Sequence, residues 1–412
     1  MIRITHHTKE LSGEINLPSS KSISNRMLML QKLYEPDLDL QNISEANDSV
    51  ILQKLLANDE PREIDVQDAG SVFRFMVAYC ACTPGEWIVT GSARLQQRPI
   101  AQLVDALRLF GADIEYLGTP NFAPLRIRGK QLRATTNLVD VSASKSSQFV
   151  TALLLIAPKI EGQFNLIVNP KMPSYSYIQL TISCLRRMGY SVWKKGKYLE
   201  VGKTQKFDGE YFEIEPDWTS FYYWYSAILL SEKADLFFPG LRLDNMQKER
   251  KLLFEVGNTF VQFEEVNEGI RITKKPGGKV DLPVQMNFSQ FPDSAMTFGM
   301  LLPALGHQNF EFRGLESLQY KECNREQALS AHLQKVGVGM RKDDKIWFVD
   351  ASGFKLKPDT LFETYEDHRM AMCVAPLAML EPLRVEEEQW VRKSYPHFWD
   401  DLKSVGFEID YL

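Results

Sequence analysis

One short motif recurs five times along the 412-residue chain at nearly regular intervals. Each copy has a leucine, two variable residues, an apolar residue, a glycine, two more variable residues and a second apolar residue. The glycines follow one another at steps of 78, 68, 80 and 69 residues, and they are Gly111, Gly189, Gly257, Gly337 and Gly406. Apolar residues three apart share one helix face, and a glycine past the last turn adopts the left-handed capping conformation without steric cost. The motif therefore predicts a repeated unit in which a helix ends at glycine and a strand follows.

A degenerate sixth copy without the glycine, Leu52-Gln-Lys-Leu55, precedes the other five. Repetition at this period predicts an α/β fold built from five or six similar units. The apolar stretches 295–305 and 370–380 are too short to span a membrane, and they predict buried helices of the core. At about 100–200 residues per domain, the length predicts two or three domains.

A second series of segments runs out of phase with the glycine motif. Six polar loops each precede an apolar helix, at residues 19–26, 68–74, 144–151, 217–220, 291–296 and 365–372. The serine, aspartate and asparagine residues in such loops are preferred helix N-caps. A helix N-terminus favours anions through its free N–H groups and its dipole. Several such ends that converge would therefore form an anion-binding site.

Composition limits the partners and the location of the protein. The formal net charge is −5 and 44% of the residues are hydrophobic, which fits a soluble globular protein rather than a general nucleic-acid or membrane binder. The first residues, Met1–His7, lack the layout of a secretory signal. Five cysteines without a C-x-x-C pair fit a reducing compartment and argue against structural zinc. We therefore expect a cytoplasmic protein that needs no metal.

The polar loops carry many charged and hydrogen-bonding side chains. Their cations are Lys21, Arg26, Arg74, Arg94, Arg98, Lys145, Lys321, Arg325, Arg369 and Lys393. Their hydroxyls and amide are Ser22, Ser146, Ser147, Gln148 and Ser174, and the candidate carboxylates are Asp293, Glu322 and Asp367. Arginine forks match phosphate and carboxylate groups, so the set predicts a substrate with several negative charges. Among these cations, Asp293 or Glu322 could accept or donate a proton.

The chain lacks the P-loop, Rossmann, G-x-S-x-G and H-E-x-x-H motifs, but its own motifs resemble those of one family. Leu17–Arg26 resembles the L-P-G-S-K-S-x-S-N-R opening of the 5-enolpyruvylshikimate-3-phosphate synthase family. Further segments resemble, in family order, G-x-x-R-x-x-x-R-P-[IM] (91–100), S-S-Q-[FY] (146–149), P-D-x-A-M (292–296), K-E-[ST]-D-R (321–325), D-H-R-x-A-M (367–372) and K-[ST]-[FY]-P (393–396). The ordered set extends from residue 17 to residue 396, and on it the chain is identified as a member of this family.

The resemblance implies a two-domain, inside-out α/β barrel fold. Each domain of the family has three βαβαββ units, with helices inside, sheets outside and helix N-termini facing an interdomain cleft that holds the active site. By matched position, one domain covers residues 21–215 and the other combines residues 1–20 with residues 216–412. The six family units agree with the five or six repeats in the sequence.

The resemblance also implies a reaction. The enolpyruvyl group of phosphoenolpyruvate is transferred to the 5-hydroxyl of shikimate 3-phosphate by addition and elimination, and phosphate is released. The reaction needs no cofactor, and its product feeds chorismate and aromatic amino acid biosynthesis. The implied partners are these two small molecules, without nucleic acid or membrane, and we expect a monomer.

Residue roles carry over by motif as part of the resemblance. The residues matched to phosphoenolpyruvate are Lys21, Gly70, Arg98, Gln148, Arg325, His368, Arg369 and Lys393. The residues matched to shikimate 3-phosphate are Lys21, Ser22, Arg26, Ser146, Ser147, Gln148, Ser174, Tyr177, Asp293 and Lys321. Asp293 matches the carboxylate beside the 5-hydroxyl, which suits a base, and Glu322 and Lys21 are the candidates for proton transfer at C3.

The chain departs from the family motifs at several positions, among them Ser19 in place of glycine, Asp68 in place of asparagine, Phe75 in place of proline and Asn324 in place of aspartate. Ser317 lies where some family members have an asparagine. The departures at positions 68 and 324 motivate one alternative, a protein that binds a phosphorylated ligand without turnover. A second alternative is the sister enolpyruvyl transferase that acts on UDP-N-acetylglucosamine. That family has Lys-Asn where this chain has Lys21-Ser22, which argues against it.

Overall fold

A computed structural model describes residues 1–58, 60, 63–142, 146–203, 207, 209–254, 257–258, 261–266, 268–275, 280–281 and 283–412. The chain divides into two compact units. The continuous unit is Ser20–Ile214, and the discontinuous unit combines Met1–Ser19 with Glu215–Leu412. Lys145 of the polar loops and half of the third glycine motif (255–256 and 259–260) lie outside the described residues.

Helices and strands follow one another along the whole chain. The strands are β1 (Ile2–His6), β2 (Glu10–Glu14), β3 (Asp39–Gln41), β4 (Glu63–Asp65), β5 (Gly85–Thr90), β6 (Asp113–Tyr116), β7 (Leu125–Gly129), β8 (Leu138–Asp140), β9 (Asn165–Ile167), β10 (Tyr190–Lys195), β11 (Tyr198–Lys203), β12 (Tyr211–Glu213), β13 (Lys233–Pro239), β14 (Gly257–Asn258), β15 (Val261–Val266), β16 (Gly269–Lys274), β17 (Val280–Asp281), β18 (Gln285–Asn287), β19 (Asn309–Arg313), β20 (Gly339–Asp343), β21 (Ile346–Asp350), β22 (Thr360–Phe362), β23 (Leu383–Val385) and β24 (Phe407–Tyr411). The α-helices are α1 (Lys21–Tyr34), α2 (Asn47–Leu56), α3 (Gly70–Cys82), α4 (Ala93–Gln96), α5 (Ala101–Arg108), α6 (Ser147–Ile156), α7 (Tyr175–Arg187), α8 (Trp218–Leu230), α9 (Ala295–Ala304), α10 (Arg325–Lys335), α11 (His368–Val374) and α12 (Phe398–Ser404). Short 3₁₀ helices cover Ala157–Lys159, Glu249–Phe254, Pro292–Ser294, Glu316–Tyr320, Ala375–Met379 and Glu388–Lys393.

The continuous unit contains two four-stranded sheets with the same pairing pattern. Their strand orders are β4-β5-β7-β6 and β8-β9-β11-β10. In each sheet the first pair is parallel and the next two pairs are antiparallel. A parallel pair needs a crossover, and α3 and α6 supply it. Strands β3 and β12 form a separate parallel pair.

The discontinuous unit repeats this pattern three times. Its four-stranded sheets have the orders β2-β13-β16-β15, β18-β19-β21-β20 and β22-β23-β1-β24. Each again has one parallel pair followed by two antiparallel pairs. Five sheets with one topology explain why one helix–glycine–strand motif recurs along the sequence.

Four of the five glycines end a helix in the left-handed conformation, as the motif predicts. Their φ angles are 84° at Gly111, 80° at Gly189, 76° at Gly337 and 99° at Gly406. The copy at Gly257 differs, because its leucine lies in the 3₁₀ helix Glu249–Phe254 rather than in an α-helix.

Burial separates the helices from the sheets in the discontinuous unit. Every residue of α8 is buried, and α9 is buried except at its last residue. A helix that is apolar all round belongs in a core. Strand β13 instead alternates buried with partly exposed residues, as expected when one sheet face meets solvent. The two apolar stretches predicted to be core helices form α9 and α11, the latter continued by a buried 3₁₀ helix.

Candidate active site

The polar loops of the discontinuous unit deliver a set of charged side chains that contact one another. This set, the ionic cluster, comprises Asp293 in the 3₁₀ helix before α9, Lys321 and Glu322 before α10, Arg325 at the start of α10, Asp367 at the N-cap of α11, His368 and Arg369 at the start of α11, and Lys393 at the end of a 3₁₀ helix. The sequence predicts seven of these residues as site residues and Asp367 as a candidate carboxylate.

Arg325 lies at the centre of the ionic cluster, with only 1% of its side chain exposed. Its Nε donates to Asp367 Oδ2 at 2.6 Å, and its Nη2 donates to Asp367 Oδ1 at 3.1 Å. Its Nη1 donates to Asp293 Oδ1 at 2.7 Å, and Nη2 also donates to Glu322 Oε2 at 2.7 Å. Three carboxylates compensate this guanidinium, because a buried charge without partners costs several kcal/mol.

Asp293 is surrounded by cations on both carboxylate oxygens. Oδ1 lies 3.1 Å from Lys321 Nζ and accepts from Arg325, while Oδ2 accepts from Arg369 Nη2 at 3.3 Å. Burial by itself would raise the pKa of the Asp293 carboxyl, but the charges of Lys321, Arg369 and Arg325 outweigh it and hold the pKa well below its usual range. Asp293 is therefore ionised at neutral pH.

Arg369 is oriented from two sides. Its Nη1 donates to the Tyr223 hydroxyl at 3.2 Å, and its backbone N–H donates to Asp367 Oδ1 at 3.0 Å. Tyr223 lies on α8, and burial raises its pKa to about 12, so the hydroxyl stays neutral. Arg369 thus presents its charge at a fixed place at the N-terminus of α11.

The remaining members lie around the same carboxylates. Lys393 Nζ is 4.0 Å from Glu322 Oε1, and His368 Nδ1 is 3.5 Å from Asp367 Oδ1. The Cys323 thiol donates to Asp367 Oδ2 at 3.6 Å, and burial together with the Asp367 charge raises its pKa. A thiol that stays protonated is not a nucleophile, which agrees with an incidental role for this cysteine.

In the continuous unit, Lys21 is the first residue of α1 and pairs with a carboxylate outside the predicted set of site residues. Lys21 Nζ lies 3.3 Å from Asp48 Oδ2, in the first turn of α2. The Asp48 side chain is nearly buried, whereas the Lys21 side chain is partly exposed. Asp48 therefore holds a cation that can still reach a ligand.

Arg26 fastens α1 to α7 and α6. Its Nε donates to Thr181 Oγ1 at 2.9 Å, Nη1 donates to the carbonyl of Ser22 at 2.6 Å, and Nη2 donates to the carbonyl of Tyr177 at 3.1 Å. Nη2 also reaches Thr151 Oγ1 at 3.5 Å. Three predicted shikimate 3-phosphate residues, Ser22, Arg26 and Tyr177, are thereby brought together.

Gly70 and Arg98 are in close contact at the start of α3. A Cβ atom at position 70 would lie 2.2 Å from Arg98 Nη1 and 2.9 Å from Arg74 Nη1. Arg74 Nη1 in turn donates to the carbonyl of Gly70 at 2.7 Å. The lack of a side chain at Gly70 lets two guanidinium groups approach the helix start, as an anion site requires.

Serine hydroxyls and an amide lie at the starts of α6 and α7. Ser146 Oγ accepts from the backbone N–H of Gln148, so Ser146 caps α6, and Ser147 is the first residue of that helix. The Gln148 amide donates to Ser71 Oγ at 3.0 Å and links α6 to α3. Ser174 is the N-cap residue of α7 with a φ of 61°.

Two departures from the family motifs have local structural roles. The Asn324 side chain accepts from the backbone N–H of Gln327 and caps α10, a role that asparagine and aspartate perform equally well. Asp68 is exposed before α3 and accepts a hydrogen bond from Ser92 Oγ. Asn324 thus holds a helix start in place, and Asp68 joins the segment before α3 to the N-cap residue of α4.

Within the described part of the chain, no group of three or more histidine, cysteine, aspartate or glutamate residues is arranged to hold a metal ion. The helices in these same residues are each too short or too polar to cross a membrane.

Comparison with known proteins places the chain in a family. A sequence model of EPSP synthase (3-phosphoshikimate 1-carboxyvinyltransferase) matches residues 38–402. The chain belongs to the EPSP synthase family. The 3-phosphoshikimate 1-carboxyvinyltransferase of Bacteroides fragilis is 37% identical over 403 residues, which cover 97% of both chains. The enzyme of the same name from Vibrio cholerae is 30% identical and covers 96% of this chain and 97% of its own.

Solved structures agree on the fold. An EPSP synthase from Acinetobacter baumannii superimposes with a TM-score of 0.78 at 19% identity and covers 100% of this chain and 99% of its own. An enolpyruvyl transferase from Streptomyces tendae gives a TM-score of 0.74 at 16% identity, over 100% of this chain and 98% of its own. The two-domain, inside-out α/β fold, the EPSP synthase family and the transferase class are therefore confirmed. The roles of single residues stay predictions.

Asp48 and Tyr223 contact the predicted site residues Lys21 and Arg369 but are not themselves among the predicted residues. Asp48 lies in the polar segment 44–49, which precedes an apolar helical run just as the other six polar loops do. Tyr223 lies in the aromatic helix α8, where every residue is buried, so no sequence signal separates it from packing residues.

Proposed function

We propose that this chain transfers the enolpyruvyl group of phosphoenolpyruvate to the 5-hydroxyl of shikimate 3-phosphate. In the addition step the hydroxyl oxygen bonds to C2, the hydroxyl proton leaves, and C3 gains a proton. In the elimination step C3 loses a proton and the C2–O bond to phosphate breaks, so inorganic phosphate is released. Family membership and relatives that share nearly the whole length support this reaction.

The main structural support for the proposal is the set of cations that surrounds Asp293. An ionised carboxylate with 17% of its side chain exposed is both charged and reachable, so it can accept the proton of the 5-hydroxyl. Its low pKa makes it a weak base while Lys321, Arg325 and Arg369 bind it. When the anionic groups of the substrates share these cations, the basicity of Asp293 rises. The base would thus become effective only with both substrates present.

The charge of the ionic cluster suits an anionic substrate. Four cations, Lys321, Arg325, Arg369 and Lys393, face three carboxylates. The excess of positive charge before substrate binds favours phosphoenolpyruvate, which carries a phosphate and a carboxylate. The proposed contacts to phosphoenolpyruvate are Lys21, Gly70, Arg98, Gln148, Arg325, His368, Arg369 and Lys393.

Shikimate 3-phosphate is assigned mainly to helix starts of the continuous unit. The proposed contacts are Lys21, Ser22, Arg26, Ser146, Ser147, Gln148, Ser174, Tyr177, Asp293 and Lys321. Hydroxyls and N–H groups at the starts of α6 and α7 are natural donors to a phosphate.

Proton transfer at C3 is assigned to Glu322 and Lys21. Glu322 has 17% of its side chain exposed and contacts Arg325 and Lys393, so its charge is balanced while one edge remains accessible. Lys21 keeps its ammonium group partly exposed beside Asp48. The cations around both groups would stabilise charge that develops in the transition state.

Release of inorganic phosphate from purified protein tests the proposal. We expect release only when phosphoenolpyruvate and shikimate 3-phosphate are both present, and a loss of about 100-fold or more in kcat for Asp293→Asn and Lys21→Ala. Asp235→Asn and Lys233→Ala are matched controls on an exposed sheet face and should keep full activity. Binding of both ligands without phosphate release would instead establish the non-catalytic alternative that Asp68 and Asn324 motivate.

We also propose that the enzyme works as a monomer in the cytoplasm. All proposed ligand contacts are supplied by one chain, which supports a monomer. Light scattering at assay concentration should give the mass of a single chain, and a concentration-independent dimer mass would contradict this.

A further inference from the structure

Asp367 is the most deeply buried carboxylate of the ionic cluster. None of its side chain is exposed, compared with 17% for Asp293 and for Glu322. A substrate can reach the latter two but not Asp367. The proposed reaction assigns no role to this carboxylate, so its burial at such an electrostatic cost needs another explanation.

Both oxygens of Asp367 are used to orient the two arginines of the cluster. Oδ2 accepts from Arg325 Nε at 2.6 Å, and Oδ1 accepts from Arg325 Nη2 at 3.1 Å. Oδ1 also accepts from the backbone N–H of Arg369 at 3.0 Å, which caps α11. One carboxylate therefore fixes the plane of one guanidinium and the helix start that carries the other.

This bidentate pairing determines what the rest of Arg325 can contact. With the Nε–Nη2 edge held by Asp367, Nη1 points to Asp293 at 2.7 Å and the second Nη2 hydrogen points to Glu322 at 2.7 Å. A planar guanidinium cannot rotate one edge without moving the other. The position of Asp367 thus sets the distances from Arg325 to both proton-transfer carboxylates.

Helix α10 also holds the segment that leads to Asp367. Lys335 Nζ donates to the carbonyl of Leu361 at 2.6 Å, and His332 Nε2 lies 2.8 Å from the carbonyl of Glu363. The first residue of the same helix is the arginine that Asp367 binds. Asp367 is therefore held at a defined distance from its partner by backbone contacts further along the helix.

We propose that Asp367 is a positioning residue for enolpyruvyl transfer, which orients Arg325 and Arg369 for the anionic groups of phosphoenolpyruvate. The inference rests on the proposed function and extends it to a group that touches no substrate. Without the Asp367 charge, Arg325 turns toward Asp293 and Glu322, and the pair of arginines no longer matches the ligand. Binding of phosphoenolpyruvate weakens, while shikimate 3-phosphate, assigned mainly to the continuous unit, binds as before.

Steady-state kinetics of Asp367→Asn tests this inference. Asparagine keeps an oxygen for the N–H of Arg369 but loses the charge and one acceptor. We expect the KM for phosphoenolpyruvate to rise about 10- to 100-fold, the range for loss of a hydrogen bond to a charged group. The KM for shikimate 3-phosphate should stay within about twofold and kcat within about threefold, because loss of uniform binding leaves kcat unchanged.

Asp217→Asn is the matched control, since Asp217 caps α8 by accepting from the N–H of Ser220. Because asparagine caps a helix as well as aspartate does, Asp217→Asn should leave both the melting temperature and the KM for phosphoenolpyruvate close to the wild-type values, and it controls for the loss of an N-cap charge by itself. An unchanged KM in Asp367→Asn, or an equal rise in both KM values, overturns the inference. An inactive wild type would instead count against the proposed function, so the two failures are distinguishable.

If Asp367→Asn does not fold, nitrogen-15 NMR of the arginine side chains tests whether Asp367 holds Arg325. This measurement does not depend on enzyme activity. In the wild type, the Arg325 Nε proton held by Asp367 should exchange slowly with water, and the signal should persist at saturating phosphoenolpyruvate and shikimate 3-phosphate. Assignment comes from its disappearance in Arg325→Lys. An Arg325 Nε signal that is lost to rapid exchange overturns the inference.

Discussion

Gly70 and Arg98 lie so close that a Cβ atom at position 70 would come within 2.2 Å of Arg98 Nη1. Gly70→Ala should displace this guanidinium. The overall stability should change little, because alanine is a better helix former than glycine by about 1 kcal/mol and this gain offsets the cost of the displacement. We expect the KM for phosphoenolpyruvate to rise about tenfold, which corresponds to 1.4 kcal/mol. Gly118→Ala, where a Cβ would meet only Pro124 at 3.7 Å, is the matched control and should leave the KM unchanged. Equal KM values for the two variants would refute the prediction.

Tyr223 and Tyr222 offer a matched pair of buried hydroxyls on one helix. Tyr223 accepts from Arg369, whereas Tyr222 donates to the carbonyl of Glu249 at 2.5 Å. Replacing either with phenylalanine leaves a buried polar group without its partner and should cost about 1–3 kcal/mol of stability. Only Tyr223→Phe should raise the KM for phosphoenolpyruvate, by about fivefold, because only it touches the ionic cluster. Melting curves and kinetics of both variants check this, and a matching KM rise in Tyr222→Phe would argue against it.

His332 should make the folded state sensitive to mild acid. Burial lowers its pKa to about 4, and its Nε2 lies 2.8 Å from the carbonyl of Glu363. Between this value and 6.5 the unfolded chain binds a proton that the folded chain does not, so stability falls as the pH drops. From pH 7 to pH 5 we expect a loss of about 2 kcal/mol.

Urea unfolding of His332→Gln at the two pH values measures that contribution. Glutamine can donate to the same carbonyl but does not titrate, so this variant should lose about 2 kcal/mol less than the wild type on acidification. His7→Gln, at an exposed position, should behave like the wild type. If the free energy of unfolding of His332→Gln falls as much between pH 7 and pH 5 as that of the wild type, groups other than His332 cause the acid sensitivity.

Asp48 should matter to catalysis through Lys21. Asp48→Asn removes the charge that holds the Lys21 ammonium group and should lower kcat/KM about tenfold, or 1.4 kcal/mol. Asp39→Asn, on the exposed edge strand β3, is the control and should retain full kcat/KM. If Asp48→Asn keeps wild-type kcat/KM, Lys21 does not need this partner.

Much of the architecture could be predicted because its signals are local in the chain. A helix cap, a glycine turn and an apolar helix face each depend on residues within a few positions of one another. For this reason the left-handed glycines at 111, 189, 337 and 406, and the buried helices α9 and α11, follow from the sequence. The unit at Gly257 departs from the pattern, because a 3₁₀ helix, Glu249–Phe254, replaces the α-helix there.

The candidate site could be predicted as a set of residues but not as an arrangement. The motifs name Asp293, Glu322 and Arg325 as substrate or proton-transfer groups, yet they contain nothing that pairs Arg325 with Asp367. Nor do they distinguish Tyr223, which orients Arg369, from the other aromatic residues of α8. Asp48 was missed for the same reason, since its importance lies in its contact with Lys21.

By itself, the sequence determined the repeated α/β units, the family and the charged residues of the polar loops. The tertiary structure alone decided which charges meet: Arg325 contacts Asp293 across 32 positions and Asp367 across 42, and Tyr223 contacts Arg369 across 146. The physical reason is that a buried charge is stable only beside a compensating group at hydrogen-bond distance. Which group that is depends on how the helices pack, and no periodicity along the chain records it.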